Sequence, residues 1–339
     1  LIISLNLLTS LLPLNSFFTY FRLFLLFNLS FAISQLAQPQ LKLTFSLLAF
    51  STTLISLLAL TQFLKQSSLD GLFYYLGERH FDLTTPDIAK FSLCPITDNC
   101  QLFLRPYSTF SHPNSLAGYL LVIFFLFSSL PKKLRPQPTL FLFVVILSLF
   151  TLVLTFSRSA IFAFFLLLPL LHPQIKKSPY RFFPFLVILT LTAISLLLPP
   201  LTFTNPSLST RLLLAQYSLN LIKAHPFTGV GLNNFIPALT QLSFPPLTLS
   251  LLQPVHNLFL LLFSELGLFL TLITFYLIKK SLIPYLPLLA ILVTGTFDHY
   301  WLTLPQNQLL LFLVLGLTHS RVKIFLMYNN SHEKSHHSH

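Results

Sequence analysis

Charge is scarce in this chain, and negative charge is the scarcest. Only 8% of the 339 residues are charged, whereas soluble domains carry about a quarter. Eight residues are acidic and 20 are Lys or Arg, while 54% of all residues are hydrophobic. This composition excludes an ordinary soluble domain and requires an apolar environment.

The few carboxylates are dispersed. Five of them lie between residues 65 and 111, and no two form an Asp-x-Asp pair. A calcium or magnesium site needs several oxygen ligands that converge. We therefore predict no metal site and no cofactor, and we interpret these acids as a solvated loop face.

Cysteine is nearly absent as well. Cys94 and Cys100 are the two cysteines of the chain and lie in the same polar loop. Their spacing allows a small disulfide ring, and two free thiols fit equally well. Neither alternative makes them catalytic.

Long hydrophobic runs are what the chain has in abundance. Runs of about 18 or more apolar residues recur, each long enough to cross a bilayer as a helix. They predict an all-α, polytopic transmembrane helical bundle of about ten spans. The predicted spans are 1–12, 17–36, 43–64, 113–130, 139–156, 158–171, 182–201, 256–278, 282–297 and 302–318. Because the first residue is Leu1 and the first run is short, we expect an N-terminally truncated sequence.

Basic residues cluster on alternate connections between these spans. They are Lys42; Lys132, Lys133 and Arg135; Lys176, Lys177 and Arg181; Lys279 and Lys280; and Arg321, Lys323 and Lys334. The positive-inside rule makes these connections cytoplasmic, so the loops 65–112 and 202–255 face outward. The net charge of +12 then reflects topology and needs no nucleic acid partner. We expect one integral membrane domain, 1–318, and a disordered, His-rich cytoplasmic tail, 319–339.

Two arginines fall within apolar surroundings. Arg22 lies near the outer end of its span, where it can snorkel to the interface in a structural role. Arg158 stands between two hydrophobic runs with no acid nearby in sequence. A cation at mid-membrane costs at least about 2.5 kcal/mol. Arg158 therefore needs a partner or an anionic ligand.

Arg211 belongs to a predicted amphipathic helix on the outer surface. Ser209 or Thr210 can cap this helix, and Pro226 stops it after Ala224. Its apolar positions are Leu208, Leu212, Ala215, Leu219 and Ile222. A cation in the first turn opposes the helix dipole, and an anionic ligand would remove this conflict.

Several polar and small residues gather in the second outer loop and at its borders. Gly229 and Gly231 permit positive φ or close backbone approach. His256 opens a span at the outer interface, where an ordinary polar anchor is the more frequent role. Glu265 is half a turn out of phase with His256, so we expect it to pair with another helix. Asp298 is the best candidate to orient a histidine at the outer face.

Together these stretches resemble the O-antigen ligase and polymerase family of bacterial envelope glycosyltransferases. The resemblance covers about residues 105–318 and depends on the order and spacing of the motifs. The matching pieces are Ser108–Asn114 with Ala117 and Gly118; Thr155–Ala160; Arg211 with His225–Phe235; Val255, His256 and Asn257 with Glu265 to Gly267; and Phe297 with Asp298.

The resemblance implies an enzyme of the bacterial cytoplasmic membrane with an outward-facing active site. Such an enzyme moves a glycan from a polyprenyl-diphosphate carrier to a hydroxyl of a lipid, a glycan or a protein. By resemblance, Arg158 and Arg211 bind the diphosphate and His256 is the catalytic base, with His225 and Asp298 as auxiliary residues. Gly229, Gly231, Asn257 and Glu265 are structural members of the motifs. We expect an inverting, metal-independent displacement.

Other readings stay open at this point. A polysaccharide polymerase of the same family would use the same chemistry. A flippase or transporter of lipid-linked glycans should bury charge near mid-membrane and often has repeated halves, and no repeat is evident. A metal-dependent oligosaccharyltransferase would need paired outer carboxylates. A noncatalytic relative would have no need to retain both arginines and the histidine.

Overall fold

The computed structural model describes residues 2–93, 101–171, 206–241, 251–279 and 285–318. These residues are mostly helical, which confirms the all-α class. The helices are α1 Ile2–Leu8, α2 Pro13–Gln35, α3 Gln38–Lys65, α4 Leu72–Tyr75, α5 Pro113–Ser128, α6 Pro138–Leu154, α7 Arg158–Leu167, α8 Pro206–Ala224, α9 Phe235–Leu239, α10 Leu258–Lys279, α11 Leu286–Gly295, α12 Tyr300–Thr303 and α13, 305–318. Short 3₁₀ turns follow α5 and α7 at Lys132–Leu134 and Leu168–Leu171.

The helix α5 is the centre of the bundle. Its residues from Pro113 to Phe127 are buried almost without exception, and α6, α7 and α11 pack around it. A helix that is apolar on all sides is stable only when neighbours cover every side. Gly118 allows a close approach to this helix, since a Cβ there would meet the Tyr300 hydroxyl at 2.3 Å.

Two helices, α2 and α3, are long and apolar enough to cross a membrane. Large apolar side chains on their outer faces are exposed, among them Phe18, Phe24 and Phe50. Contiguous exposed apolar surface of this kind is what a lipid-facing helix presents. The other described apolar helices are shorter, so the count of about ten spans stays a prediction. The predicted span 182–201, the two cysteines and the tail 319–339 lie outside the described residues.

The first long loop holds a small sheet that the sequence did not predict. Strand β1, Lys90–Leu93, pairs antiparallel with β2, Gln101–Leu104. The prediction of a solvated acidic face is wrong for Glu78, which is 3% exposed. Its carboxylate accepts hydrogen bonds from the Gln62 side chain and from the backbone N–H groups of Leu69 and Asp70, at 2.7 to 2.8 Å. Three donors offset the cost of burying this charge.

The second long loop folds over α10. Helix α8 packs against α10 and buries Leu214, Tyr217 and Leu221. The predicted apolar face is only partly covered: Ala215, Leu219 and Ile222 are half-buried and pack against this cluster, whereas Leu208 is exposed. Contact with α10 selects the face, which a helix lying alone on a membrane surface would not require.

The segment after α8 docks on a bend in α10. Val230 and Gly231 donate backbone hydrogen bonds to Ser264 and Glu265, and Leu268 donates to Pro226. Gly267 has φ of 69°, which interrupts the helix, and Gly229 has φ of 67°. A Cβ on Gly229 would lie 2.3 Å from the Glu265 carbonyl oxygen. Glycine is thus needed for both the conformation and the contact.

Candidate active site

His256 and Asp298 are adjacent, although 42 residues separate them in sequence. His256 Nδ1 lies 3.3 Å from Asp298 Oδ1. Asn257 fixes this arrangement, because its Oδ1 accepts from the N–H groups of Phe259 and Leu260 and so caps α10. Its Nδ2 donates to the Thr296 carbonyl at 3.2 Å. One side chain therefore joins the start of α10 to the end of α11.

The Asp298 carboxylate is buried and hydrogen-bonded on both oxygens. Oδ1 accepts from the His299 N–H at 2.9 Å, and Oδ2 accepts from Asn114 Nδ2 at 3.3 Å. Burial raises the pKa of Asp298, but the hydrogen bond to His256 and the nearby histidines and Arg211 outweigh it and hold the pKa below its ordinary range. The carboxylate is therefore ionised and orients the imidazole.

His299 is a second imidazole beside the pair. Its ring centroid lies 5.3 Å from that of His256, and its Nδ1 is 2.8 Å from the Thr303 hydroxyl. Burial lowers the pKa of His299 to about 4 against the opposing effect of Asp298. His299 is thus neutral at physiological pH and adds no charge to the site.

Arg211 reaches the same place from α8. Its Nη1 donates to the carbonyl of Phe297, the residue before Asp298, at 3.0 Å. The prediction that Arg211 lies in the first turn is wrong, because α8 begins at Pro206. In the second turn the conflict with the helix dipole is weaker.

Arg105 is a third cation at this site, and the sequence analysis did not assign it a role. Its Nε donates to the Thr155 carbonyl at 2.5 Å, and its Nη2 donates to Asn114 Oδ1 at 2.7 Å. The pKa of Arg105 is lowered to about 10, chiefly by burial and in smaller part by the positive charges of Arg158 and Arg211, against the opposing effect of Tyr107. The three arginines therefore share one electrostatic environment. The sequence did contain a signal for it: Arg105 lies nine residues before Asn114, in the stretch that leads into the helix predicted to start at Pro113.

Arg158 is the first residue of α7 and is exposed. The sequence predicted no loop before it, but Thr155 to Ser157 form a short turn with Phe156 at φ of 50°. This turn lets the side chain reach solvent between two apolar helices. Within the described ranges Arg158 has no ion pair, which leaves its guanidinium available to an anionic group.

The remaining predicted residues lie elsewhere. His225 is exposed at the end of α8, about 21 Å along the helix axis from Arg211. No described hydrogen bond links its side chain to Asp298, so its auxiliary role stays a prediction. Glu265 does not contact His256; its Oε1 accepts from the Phe235 N–H, at the first turn of α9. Gly231, at φ of 96°, belongs to the docked segment rather than to the His256 pair.

One cluster of three side chains in the described part of the chain could hold a metal ion. Donor atoms of His256, Asp298 and His299 lie within 4.8 Å of one another. However, Asp298 Oδ1 already accepts two hydrogen bonds, and the charge of Arg211 acts on the same carboxylate. An added cation would have to displace the proton that His256 shares with Asp298.

The fold and site together define a class of protein. It is a helical bundle with two helices long and apolar enough to cross a membrane, in which a buried aspartate contacts a histidine and an arginine bonds to the residue before that aspartate. Comparison with known families is more specific: a family model described as O-antigen ligase matches residues 143–275. The matched segment contains Arg158, Arg211 and His256, and it confirms the resemblance predicted from the sequence. No curated protein matches the chain significantly.

Members of the O-antigen ligase family are membrane glycosyltransferases of the ligase or polymerase type in the bacterial inner membrane. Arg105 and Asp298 lie outside the matched residues. The contacts described above nevertheless place both of them with the matched arginines and histidine.

Proposed function

We propose that this protein transfers a glycan from a polyprenyl-diphosphate carrier to an acceptor hydroxyl at the outer side of the bacterial cytoplasmic membrane. The observation that carries the proposal is the contact between His256 and the ionised Asp298, with Arg211 bonded to the preceding residue. The chain spans the membrane as a multi-helix bundle with this site at its outer end. Reaction requires no metal and inverts the anomeric configuration.

His256 acts as the general base through Nε2. Asp298 holds the proton on Nδ1, which leaves a lone pair on Nε2. Nε2 lies 3.2 Å from the Gln253 side-chain oxygen, and a half-turn of that amide presents its NH₂ group to the lone pair instead. An acceptor hydroxyl that replaces Gln253 at this position donates its hydrogen to Nε2.

The arginines bind the leaving group. As the acceptor oxygen bonds to the anomeric carbon, the bond to the phosphate oxygen breaks and its electron pair stays on the diphosphate. The acceptor proton passes to His256. Arg158 and Arg211 neutralise the charge that develops, because a guanidinium donates two parallel hydrogen bonds to phosphate oxygens. Attack from the face opposite the leaving group gives inversion.

Substitution of the base tests the proposal. His256→Ala should lower glycan transfer by about a hundredfold or more, the range typical of general-base catalysis. The matched control is His80→Ala, which removes the histidine of an exposed His–Asp pair, His80 and Asp70, 2.8 Å apart. Both variants are quantified in membranes before transfer is assayed. Full transfer by His256→Ala would rule the proposal out.

Two further experiments separate the alternatives. Deletion of the gene distinguishes a ligase from a polymerase: lost attachment with normal polymer length indicates a ligase, and shortened polymer indicates a polymerase. A chelator should leave the rate unchanged, whereas a metal-dependent oligosaccharyltransferase would lose activity. If the deletion strain still translocates the lipid-linked glycan at the normal rate, the protein is not a flippase.

A further inference from the structure

A cavity lies between α2, the segment before α9 and the first half of α10. Its volume is about 220 Å³, and its wall includes Arg22, Ile236, Glu265 and Thr303. Sites that enclose a whole drug-sized ligand have volumes of about 300–1,000 Å³. This cavity therefore fits one terminal group of a larger molecule.

Arg22 provides the free binding group in this cavity. Its Nε is buried and has no hydrogen-bond partner in the described part of the chain. Arg22 is nine residues into α2, about 13 Å along the helix axis from Pro13. Arg22 as a whole is half-buried, so its predicted snorkelling stays a prediction. That role leaves the buried Nε without a partner, and native proteins retain few such donors.

Other polar groups of the wall are already bonded. Asn233 Nδ2 donates to the Asn15 side chain at 3.2 Å, and the Thr19 hydroxyl donates to the Asn15 carbonyl at 2.9 Å. Glu265 accepts from the Phe235 N–H. A ligand with an anionic group would satisfy Arg22 and leave these bonds intact.

The cavity shares a wall with the candidate active site. Pro254 lines the cavity two residues before His256. Thr303 also lines it, and the Thr303 hydroxyl is bonded to His299, whose ring lies beside His256. A hydroxyl-bearing group in the cavity is therefore within a few side chains of the proposed base.

We propose that this cavity is the acceptor subsite and binds a terminal sugar that carries a phosphate or carboxylate, with the anionic group on Arg22. The assignment rests on the proposed glycan transfer. It places the acceptor against α2 and α10, whereas the donor diphosphate is held by arginines from α7 and α8. The anionic headgroup of a phospholipid has the same chemistry and is the alternative source of a ligand.

Binding of small probes tests the subsite without any transfer assay. The protein in phosphatidylcholine nanodiscs is titrated with glucose 6-phosphate and with glucose, and binding is followed by saturation-transfer NMR. We expect glucose 6-phosphate to bind more tightly. Arg22→Gln should weaken this binding by about tenfold to a hundredfold, the loss of a charge-assisted hydrogen bond. Lys42→Gln, which removes an exposed lysine, should leave it unchanged.

Ile236→Trp fills the cavity without changing its charge and should also abolish binding. Equal binding of both sugars, or full binding by either cavity variant, would overturn the proposal. Nanodiscs that contain phosphatidylglycerol distinguish the source: displacement of glucose 6-phosphate by this lipid would make a headgroup the occupant and overturn the acceptor assignment. His256→Ala should still bind the probe, so failure of the proposed transfer and failure of this subsite are separate results.

Discussion

At the residue scale, Asp298 connects several groups through its two carboxylate oxygens. His256 and the His299 N–H bond to one oxygen, and Asn114 bonds to the other. Asn114 in turn accepts from Arg105. The proposed base, His256, is thus linked to Arg105 through the side chains of Asp298 and Asn114. Such a linked set of buried polar groups is sensitive to the loss of any one member.

Arg105→Gln should reduce kcat/KM for transfer by about tenfold or more, because a buried charged donor is worth about 1.5–3 kcal/mol. Arg105→Lys retains the charge but not the two-directional hydrogen bonding, so it should recover part of the loss. The measurement is the initial rate over a range of donor concentrations.

The control for this prediction is Arg79→Gln. Arg79 is exposed and its one described side-chain hydrogen bond, to the Ser111 carbonyl, is long at 3.4 Å. Equal rates for Arg105→Gln and Arg79→Gln would show that the third arginine takes no part in the site.

The pKa of His299 predicts how stability varies with pH. Burial lowers this pKa from 6.5 to about 4, so between these values the unfolded chain binds more protons than the folded protein. Stability is therefore full above pH about 6.5 and decreases by up to about 3 kcal/mol as the pH falls to about 4. Asp298, His256 and Arg211 face the same ring: Asp298 raises the pKa of His299, and His256 and Arg211 lower it.

Thermal unfolding in detergent between pH 4 and pH 7 checks this expectation. His299→Gln cannot gain a proton, so its midpoint should change less over the same range. Parallel curves for the two proteins would contradict a neutral, buried His299.

The sequence identified several residues of this site but not the contacts that they make with one another. The family resemblance pointed to His256, and Asp298 was the acid best placed to orient a histidine at the outer face. Arg105 and Gln253 did not stand out, since polar residues are ordinary in loops. Contacts across 42 residues and more arise from helix packing, which periodicity does not encode.

At the scale of elements, the helices were predictable and their contacts were not. Proline at the first position marks the start of α5 at Pro113, as predicted, because the missing N–H is not needed there. The strands β1 and β2 were missed because each is only four residues long, which is too short for a strand pattern to stand out from a loop. The buried face of α8 depends on α10, which no local pattern of α8 contains.

Docking of the glycine-containing segment on α10 gives a further prediction. Gly229→Ala combines a positive φ with a Cβ 2.3 Å from a backbone oxygen, so it should destabilise the protein by about 2–5 kcal/mol. Gly71→Ala is the matched control: φ is also positive, at 59°, but a Cβ there meets nothing within 4 Å. It should cost only about 1–3 kcal/mol, the strain of the backbone conformation alone.

Urea or thermal midpoints of the two alanine variants in the same detergent provide the comparison. If both glycine positions tolerate alanine equally, the close contact between the segment and α10 is not a determinant of stability.

At the scale of the whole molecule, two lipid-type helices, α2 and α3, stand beside a bundle centred on α5. The long apolar runs were sufficient to predict a helical fold, because a helix satisfies its own backbone hydrogen bonds in an apolar environment. Which residues meet at the site could be learned only from the folded structure. Residues from the β2–α5 loop, α8, the start of α10 and the end of α11 meet there.

The order in which these parts leave the ribosome has a consequence for the timing of activity. Synthesis supplies His256 well before Asp298, and α11 must be inserted between them before the two can meet. A nascent polypeptide therefore carries an imidazole without its carboxylate until α11 and the residues after it are made. Under the proposed glycan transfer, unfinished chains would stay inert and would not consume lipid-linked sugar.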